Sequence, residues 1–223
     1  MTAEYIDLHV QLESKDIADF TKQLGWSRVV RPVEVKEKNV QEAAKKLRKE
    51  AEIIIASGSD DINRVASDCW EVDLIGSPEM HDEGDFMHQM NSGVDYVIAK
   101  ACAEKGIAVE INFANVLNTY GRKRSQIMAR MAQNVRICKD CDCNVVITSG
   151  AKDKFGLRGP QELAAFGVLL GMAPDEAKKA VSENPGIILK RTNDRKNPNI
   201  ITKGLEVKRW GSKQKEKRTH GWY

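Results

Sequence analysis

The sequence predicts an α/β fold, a TIM-like (β/α) barrel cut short, and three observations carry that expectation. Short apolar strands alternate with amphipathic helices along most of the chain, the spacing of parallel βαβ units. At 223 residues the chain falls a little below the roughly 250 typical of a full barrel. No Gly-x-Gly-x-x-Gly turn and no Walker-type loop follows a strand, which weighs against an open nucleotide-binding sheet.

The elements follow in order. Tyr5–Val10 alternates as a strand, and a helix runs from near Ser14 to Gly25 with Ile17, Phe20 and Leu24 on one face. Arg28–Val33 is a second strand, followed by a helix with Val40, Ala43, Ala44 and Leu47 in register, then a third strand at Ile53–Ala56. Ser59–Ala66 suits a short helix and Trp70–Ile75 a fourth strand. Residues 76–90, rich in Gly, Pro, Asp, Glu and His, read as a loop. Ser92 and Asp95 form a capping box for a helix striped by Val94, Val97, Ile98, Ala101 and Cys102 and closed by Gly106. Ile107–Asn112 and Asn144–Ser149 are strands separated by a long helix carrying Ile127, Met131, Val135 and Cys138. Helices at Pro160–Leu170 and Pro174–Val181, and one opened by Asn184-Pro185, complete a single domain over residues 1–200. Lys203–Tyr223 has seven Lys/Arg against two Glu and little periodicity, so residues 201–223 are expected to be a basic flexible tail.

Composition excludes several classes. With 41% hydrophobic and 30% charged residues the chain is neither disordered nor membrane-embedded, and no run approaches the roughly 18 apolar residues of a span. Met1–Asp7 lacks the basic and apolar regions of a secretion signal, and five cysteines form no regular framework, so a cytoplasmic setting is expected. Net charge is only +3, yet residues 1–90 carry 11 Lys+Arg and 19 Asp+Glu, while residues 91–223 carry 24 and 13. That −8 and +11 split suits a polyanionic partner, although two interleaved solvated faces would read the same way.

Strand parity supplies the polar constellation. Tyr5, Asp7 and His9 share one face, as do Glu71 and Asp73, and Glu110 and Asn112; turned inward, they converge on a barrel interior. Asp7, His9, Asp73 and Glu110 are thus weak candidates for a divalent metal. Asp7-Leu8-His9 is similar to the start of the PHP family of metal-dependent phosphoesterases, whose first motif alternates two histidines. Gln11 stands at the second of those positions, and the remaining His81, His88 and His220 lie in a loop and in the tail. A decayed or structural polar core is the expectation, and no catalytic residue is assigned. Cys138-x-x-Cys141-x-Cys143 lacks the second ligand pair of a structural zinc site and reads as a buried thiol cluster.

Cations gather in two loops after strands. Gly121-Arg122-Lys123-Arg124 is one, and Gly150–Pro160, with Lys152, Lys154 and Arg158, is the other. In a barrel such loops line the functional face, and a following helix N-terminus adds donors for phosphate. Arg158 could instead pair with a local carboxylate. Lys190, Arg191, Arg195 and Lys196 form a further basic cluster near the last helix.

Several segments together resemble the archaeal ribonuclease P protein component 3 family, related to the eukaryotic thirty-kilodalton RNase P subunit. They are Asp7–Val10, Ser92–Lys100, Ile107–Ile111, Val146–Ala151, Leu157–Pro160, Leu169–Met172 and Ser182–Pro185, spaced over about residues 4–195. The resemblance implies a barrel like those of PHP and other metal-dependent hydrolases, in a ribonucleoprotein that removes the 5′ leader of precursor tRNA. RNA is the catalyst there, and Mg2+ is expected to be held largely by RNA. Implied partners are RNase P RNA, precursor tRNA, other RNase P proteins and a small α/β subunit in a two-plus-two heterotetramer. Lys100, Arg122, Arg124, Lys152, Arg158, Arg191 and Arg195 are carried over as RNA contacts. The alternatives are a PHP-like metal-dependent phosphoesterase and a non-catalytic scaffold barrel.

Overall fold

The computed structural model describes residues 4–12, 16–36, 39–81, 84–85, 87, 90–197, 199–202, 205–209 and 211. Its elements are β1 (Ile6–Asp7), α1 (Asp16–Gln23), β2 (Arg28–Val29), β3 (Val33–Val35), α2 (Val40–Leu47), β4 (Ile54–Ala56) and α3 (Asp60–Ser67). There follow β5 (Leu74–Ile75), α4 (Tyr96–Lys105), β6 (Ala108–Asn112), α5 (Phe113–Leu117), α6 (Gly121–Asp140) and β7 (Val145–Thr148). The last are α7 (Pro160–Leu169), α8 (Pro174–Ala180), α9 (Glu183–Lys196), β8 (Ile200–Thr202) and β9 (Leu205–Glu206).

Strands β3-β4-β5-β6-β7 form one parallel sheet in sequential order, and β1-β2 a parallel pair. The expected single strand Arg28–Val33 breaks around Pro32, which has no N–H to give a ladder. The chain changes partner there: Val30 N–H donates to Asp7 O (2.8 Å), whereas Val33 N–H donates to Ile53 O (2.9 Å). On the far side, Val10 makes one parallel bridge to Ala151, and Gln11 N–H donates to Ala151 O (2.9 Å). The strands therefore follow one another around as in a TIM-like barrel, without a continuous hydrogen-bonded closure.

The central strands are buried throughout, and their side chains alternate between two clusters. Ile53 and Ile55, Leu74, Ala108 and Val146 join Ile6, Leu8 and Val30 in an inner cluster floored by Ile188 and Leu189 of α9. Ile54 and Ala56, Ile75, Val109 and Ile147 belong to the larger outer cluster under the helices, with Ala99, Met131 and Leu163. The inner positions become polar toward the strands' C-terminal ends: Ile55 leads to Ser57, Ala108 to Glu110 and Asn112, and Val146 to Thr148. An apolar floor and a polar mouth result.

The helices keep their expected order with local corrections. Asp95 alone caps α4, accepting from Ile98 N–H (2.7 Å), while Ser92 is buried and donates to Val94 O. Gly106 ends α4 in the left-handed region (φ 67°), as its position predicts. Val97, expected in the apolar stripe, is exposed. Trp70–Ile75 narrows to Leu74–Ile75, and the loop from residue 76 contains a 3-10 turn, Pro78–Met80. Side-chain amides stitch that loop to the helices: Asn63 donates to Gly93 O, Gln133 to Met90 O and Asn134 to Ser92 O. At the start of the expected tail, β8 and β9 pair antiparallel. Residues 212–223, with His220, and also Ser14 and His88, lie outside the described residues. No helix among the described residues is long and apolar enough to cross a membrane.

Candidate functional site

A polar cavity of about 770 Å³ opens at the C-terminal ends of the strands, where barrel folds place their sites. His9 and Gln11, Glu34 and Lys36, Ser57 and Asn112 converge on it, with Gly150 and Lys152 on the side of β7. His9 is its buried centre. Its Nδ1 lies 2.6 Å from Glu110 Oε1, and its Nε2 lies 3.3 Å from Glu34 Oε1. Thr148 Oγ1 donates to the same Glu110 oxygen (2.7 Å). Gln11, at the position where the PHP pattern has histidine, lays its amide 3.1 Å from His9 Nε2 and 3.4 Å from Glu34.

Electrostatics make His9 a cation. Burial alone would lower the imidazole's pKa, but Glu110 and then Glu34 overcome it and hold it up at about 10. The His9 contact, helped by Lys36 and opposed by burial, brings Glu34 down to about 2. Asp7 stands apart from this pair. Burial raises its pKa to about 6, against hydrogen bonds from the Ser149 and His9 backbones (3.1 and 3.0 Å). His9 is thus engaged at both nitrogens by carboxylates of the protein itself. Among the described residues no group of three or more His, Cys, Asp or Glu is placed to hold one.

Asp73 does not reach this cavity. It lies just before β5, where Arg48, Arg191 (3.3 Å) and Arg195 (2.7 Å) surround its fully buried carboxylate. Arg191 and Arg195 also lie over the Trp70 ring, at 5.4 and 4.7 Å. Their side chains are only 11% and 7% exposed and are turned to Asp73 and Trp70. Glu71 likewise stays out of the cavity, accepting from Cys69.

The other cations separate into two places. Arg122 and Lys123 are exposed on the first turn of α6, which begins at Gly121, so the cluster is helical rather than a loop. Arg124 bends back to donate to Thr119 O (2.6 Å) and sits 5.0 Å over the Tyr120 ring. Lys152 is exposed on the cavity rim. Arg158 pairs with no carboxylate among the described residues; it donates to Phe155 O and Leu157 O (2.7 Å each) and lies 5.7 Å over Phe113. Lys100 is exposed on α4 near Cys141, at the opposite end of the 20-residue α6 from Arg122. Of these cations only Lys152 lines the mouth; Arg124 and Arg158 lie over Tyr120 and Phe113 on neighbouring segments, Arg122 stands on the first turn of α6, and Lys100 lies elsewhere.

Residues unnoticed in the sequence complete the site. Glu34, between two valines in β3, had parity as its signal. Glu79 is buried beneath the mouth: Asn115 donates to it (2.8 Å), and burial raises its pKa to about 7. Arg130 donates to Glu79 O and pairs with Asp85 (2.9 Å). Cys102 joins Cys138 and Cys143 in one buried thiol cluster, while Cys141 is partly exposed.

Comparison with known proteins places this geometry. A family model described as RNase P subunit p30 matches residues 4–197. The ribonuclease P protein component 3 of Methanococcus maripaludis strain S2 is 31% identical over 184 residues, 81% of this chain and 75% of the relative. That of Methanosarcina acetivorans is 29% identical over 196 residues, 87% of this chain and 78% of the relative. Among solved structures, a chain of an archaeal ribonuclease P with mature tRNA superposes with a TM-score of 0.71 at 26% identity, covering 95% of this chain and 91% of that one. The chain belongs to the RNase P subunit p30 family.

Proposed function

We propose that this chain is a protein subunit of ribonuclease P that supports removal of the 5′ leader from precursor tRNA by binding RNA, without supplying catalytic groups. The whole-chain likeness to a chain of archaeal ribonuclease P with tRNA carries this reading. The chemistry of the mouth supports it. His9 is held between two carboxylates, and among the described residues no group of three or more His, Cys, Asp or Glu is placed to hold a metal. Arg122, Lys123 and Lys152 have no ion-pair partner among the described residues. Arg122, Lys123 and Arg124 also crowd the first turn of α6, where cations oppose the helix dipole and a phosphate would relieve them.

RNA contact is assigned first to Arg122, Arg124, Lys152 and Arg158, with Lys100 as a separate contact on α4. A small α/β RNase P subunit, in a two-plus-two assembly, belongs to the same proposal; the mass of the mixed proteins by light scattering checks it. So does a cytoplasmic setting, supported by five cysteines that are all free.

Reconstitution is the test. The chain alone should leave precursor tRNA intact, and adding it to RNase P RNA and the partner subunit should raise cleavage. A Mg2+- or Mn2+-dependent phosphoesterase activity of the isolated chain, abolished by Asp7→Ala or His9→Ala, would overturn the reading in favour of a PHP-like hydrolase.

A further inference from the structure

We infer that the mouth of the barrel is a seat for unpaired RNA, in which bases stack on Tyr120 and Phe155. This deepens the RNA-binding reading and rests on it. Tyr120 is 78% exposed and Phe155 77%, unusual for rings that could have been buried in a chain with only 6% aromatic residues. Each ring carries a cation on it: Arg124 lies 5.0 Å from the Tyr120 centroid and Lys154 5.1 Å from that of Phe155. A guanidinium or ammonium held against an aromatic ring places positive charge where a stacked nucleotide's phosphate would pass.

Neither ring lines the cavity itself, but each lies within three residues of one that does. Tyr120 follows Asn118 and Phe155 follows Lys152, both of which line the polar cavity. Their loops are joined below by Ala114 N–H donating to Ser149 O (3.1 Å) and by Arg158 over Phe113. The cavity is also lined by Asn118, whose amide could donate to and accept from a base edge, and by Gln11, Asn112 and Asn115, whose amides are partly engaged by His9, Glu34, Ala114 and Glu79. Lys152 stands at its edge for phosphate, while Lys36 there is paired with Glu34 (2.7 Å). A double helix hides its base faces, so exposed rings beside amides and cations match a single strand better than a duplex.

The experiment uses the full chain with two probes: a twelve-nucleotide oligoadenylate carrying 2-aminopurine, and an RNA duplex of the same length. The single strand should bind more tightly, with 2-aminopurine fluorescence quenched by stacking. Tyr120→Leu and Phe155→Leu should each weaken single-strand binding about tenfold and restore fluorescence, while duplex binding and the salt slope stay the same. Tyr120→Trp should retain both affinity and quenching. Both positions are exposed, so thermal melting of the variants should match the wild-type chain. Equal affinity for both probes, insensitive to Tyr120→Leu and Phe155→Leu but lowered by Lys152→Ala, would overturn the stacking seat and leave the cationic reading standing. Failure to bind either probe would overturn both.

Discussion

His9 Nδ1 lies 2.6 Å from Glu110 Oε1 inside the barrel, joining a residue of the first strand segment to one of the sixth. This contact is an ion pair at neutral pH, and removing it leaves Glu110 buried and uncompensated. His9→Gln should destabilise the fold by about 3–5 kcal/mol at pH 6. The pH dependence follows from the two states. His9 holds its proton to about pH 10 when folded but only to its ordinary 6.5 when unfolded, so its contribution is whole below 6.5 and lost as pH rises through 10. Urea midpoints of wild type and variant should converge across that window; a gap independent of pH would show that the contact is not an ion pair.

Glu79 has the opposite consequence for replacement. Burial raises its pKa to about 7, so the fold binds a proton that the unfolded acid has already released above its ordinary 4.5. Wild-type stability should fall as pH rises from 4.5 to 7 and then level off. Glu79→Gln should remove that fall, gaining on the wild type by on the order of 3 kcal/mol between pH 5 and pH 8. Thermal melts at the two pH values decide it, since the mere absence of a hydrogen bond from Asn115 would cost the same at both.

Asp73 anchors three arginines, and its role is structural. Asp73→Asn should cost about 3–5 kcal/mol because Arg48, Arg191 and Arg195 are left with like charges and no anion. Arg195→Ala should lower the melting temperature while the folded protein keeps its salt dependence of RNA binding. A reduced salt slope at unchanged stability would return Arg195 to the RNA surface.

Lys152 and Arg122 should behave in the reverse manner. Each is exposed and unpaired among the described residues, so Lys152→Ala and Arg122→Ala should leave melting within about 0.5 kcal/mol. With one fewer cation on phosphate, each variant should show a salt slope of RNA binding smaller by about one. Titration at several salt concentrations measures it, and an unchanged slope in both would remove the α6 and β7 ends from the interface.

The succession of elements and the family were legible in the chain before it folds. Alternation of apolar runs with amphipathic stretches is a local property, so β4, β6, β7 and the order of the helices could be read directly, as could the Gly106 stop of α4. Partner choice could not. Arg28–Val33 reads as one strand because its residues suit an extended backbone, but only the packed chain decides that its halves ladder with different neighbours on either side of Pro32. The polar set shows the same division. Parity correctly brought His9 and Glu110 together, because side chains of one strand face alternate and the inner column of β6 runs from Ala108 to Glu110. It also offered Asp73, which tertiary structure placed at the far end of its strand among three arginines. Arg191 and Arg195 look like solvent cations in a one-dimensional reading, since charge declares itself in sequence and burial does not. Whether a cation meets phosphate or a buried carboxylate depends on which distant residue arrives beside it, and that is settled only when long-range packing closes.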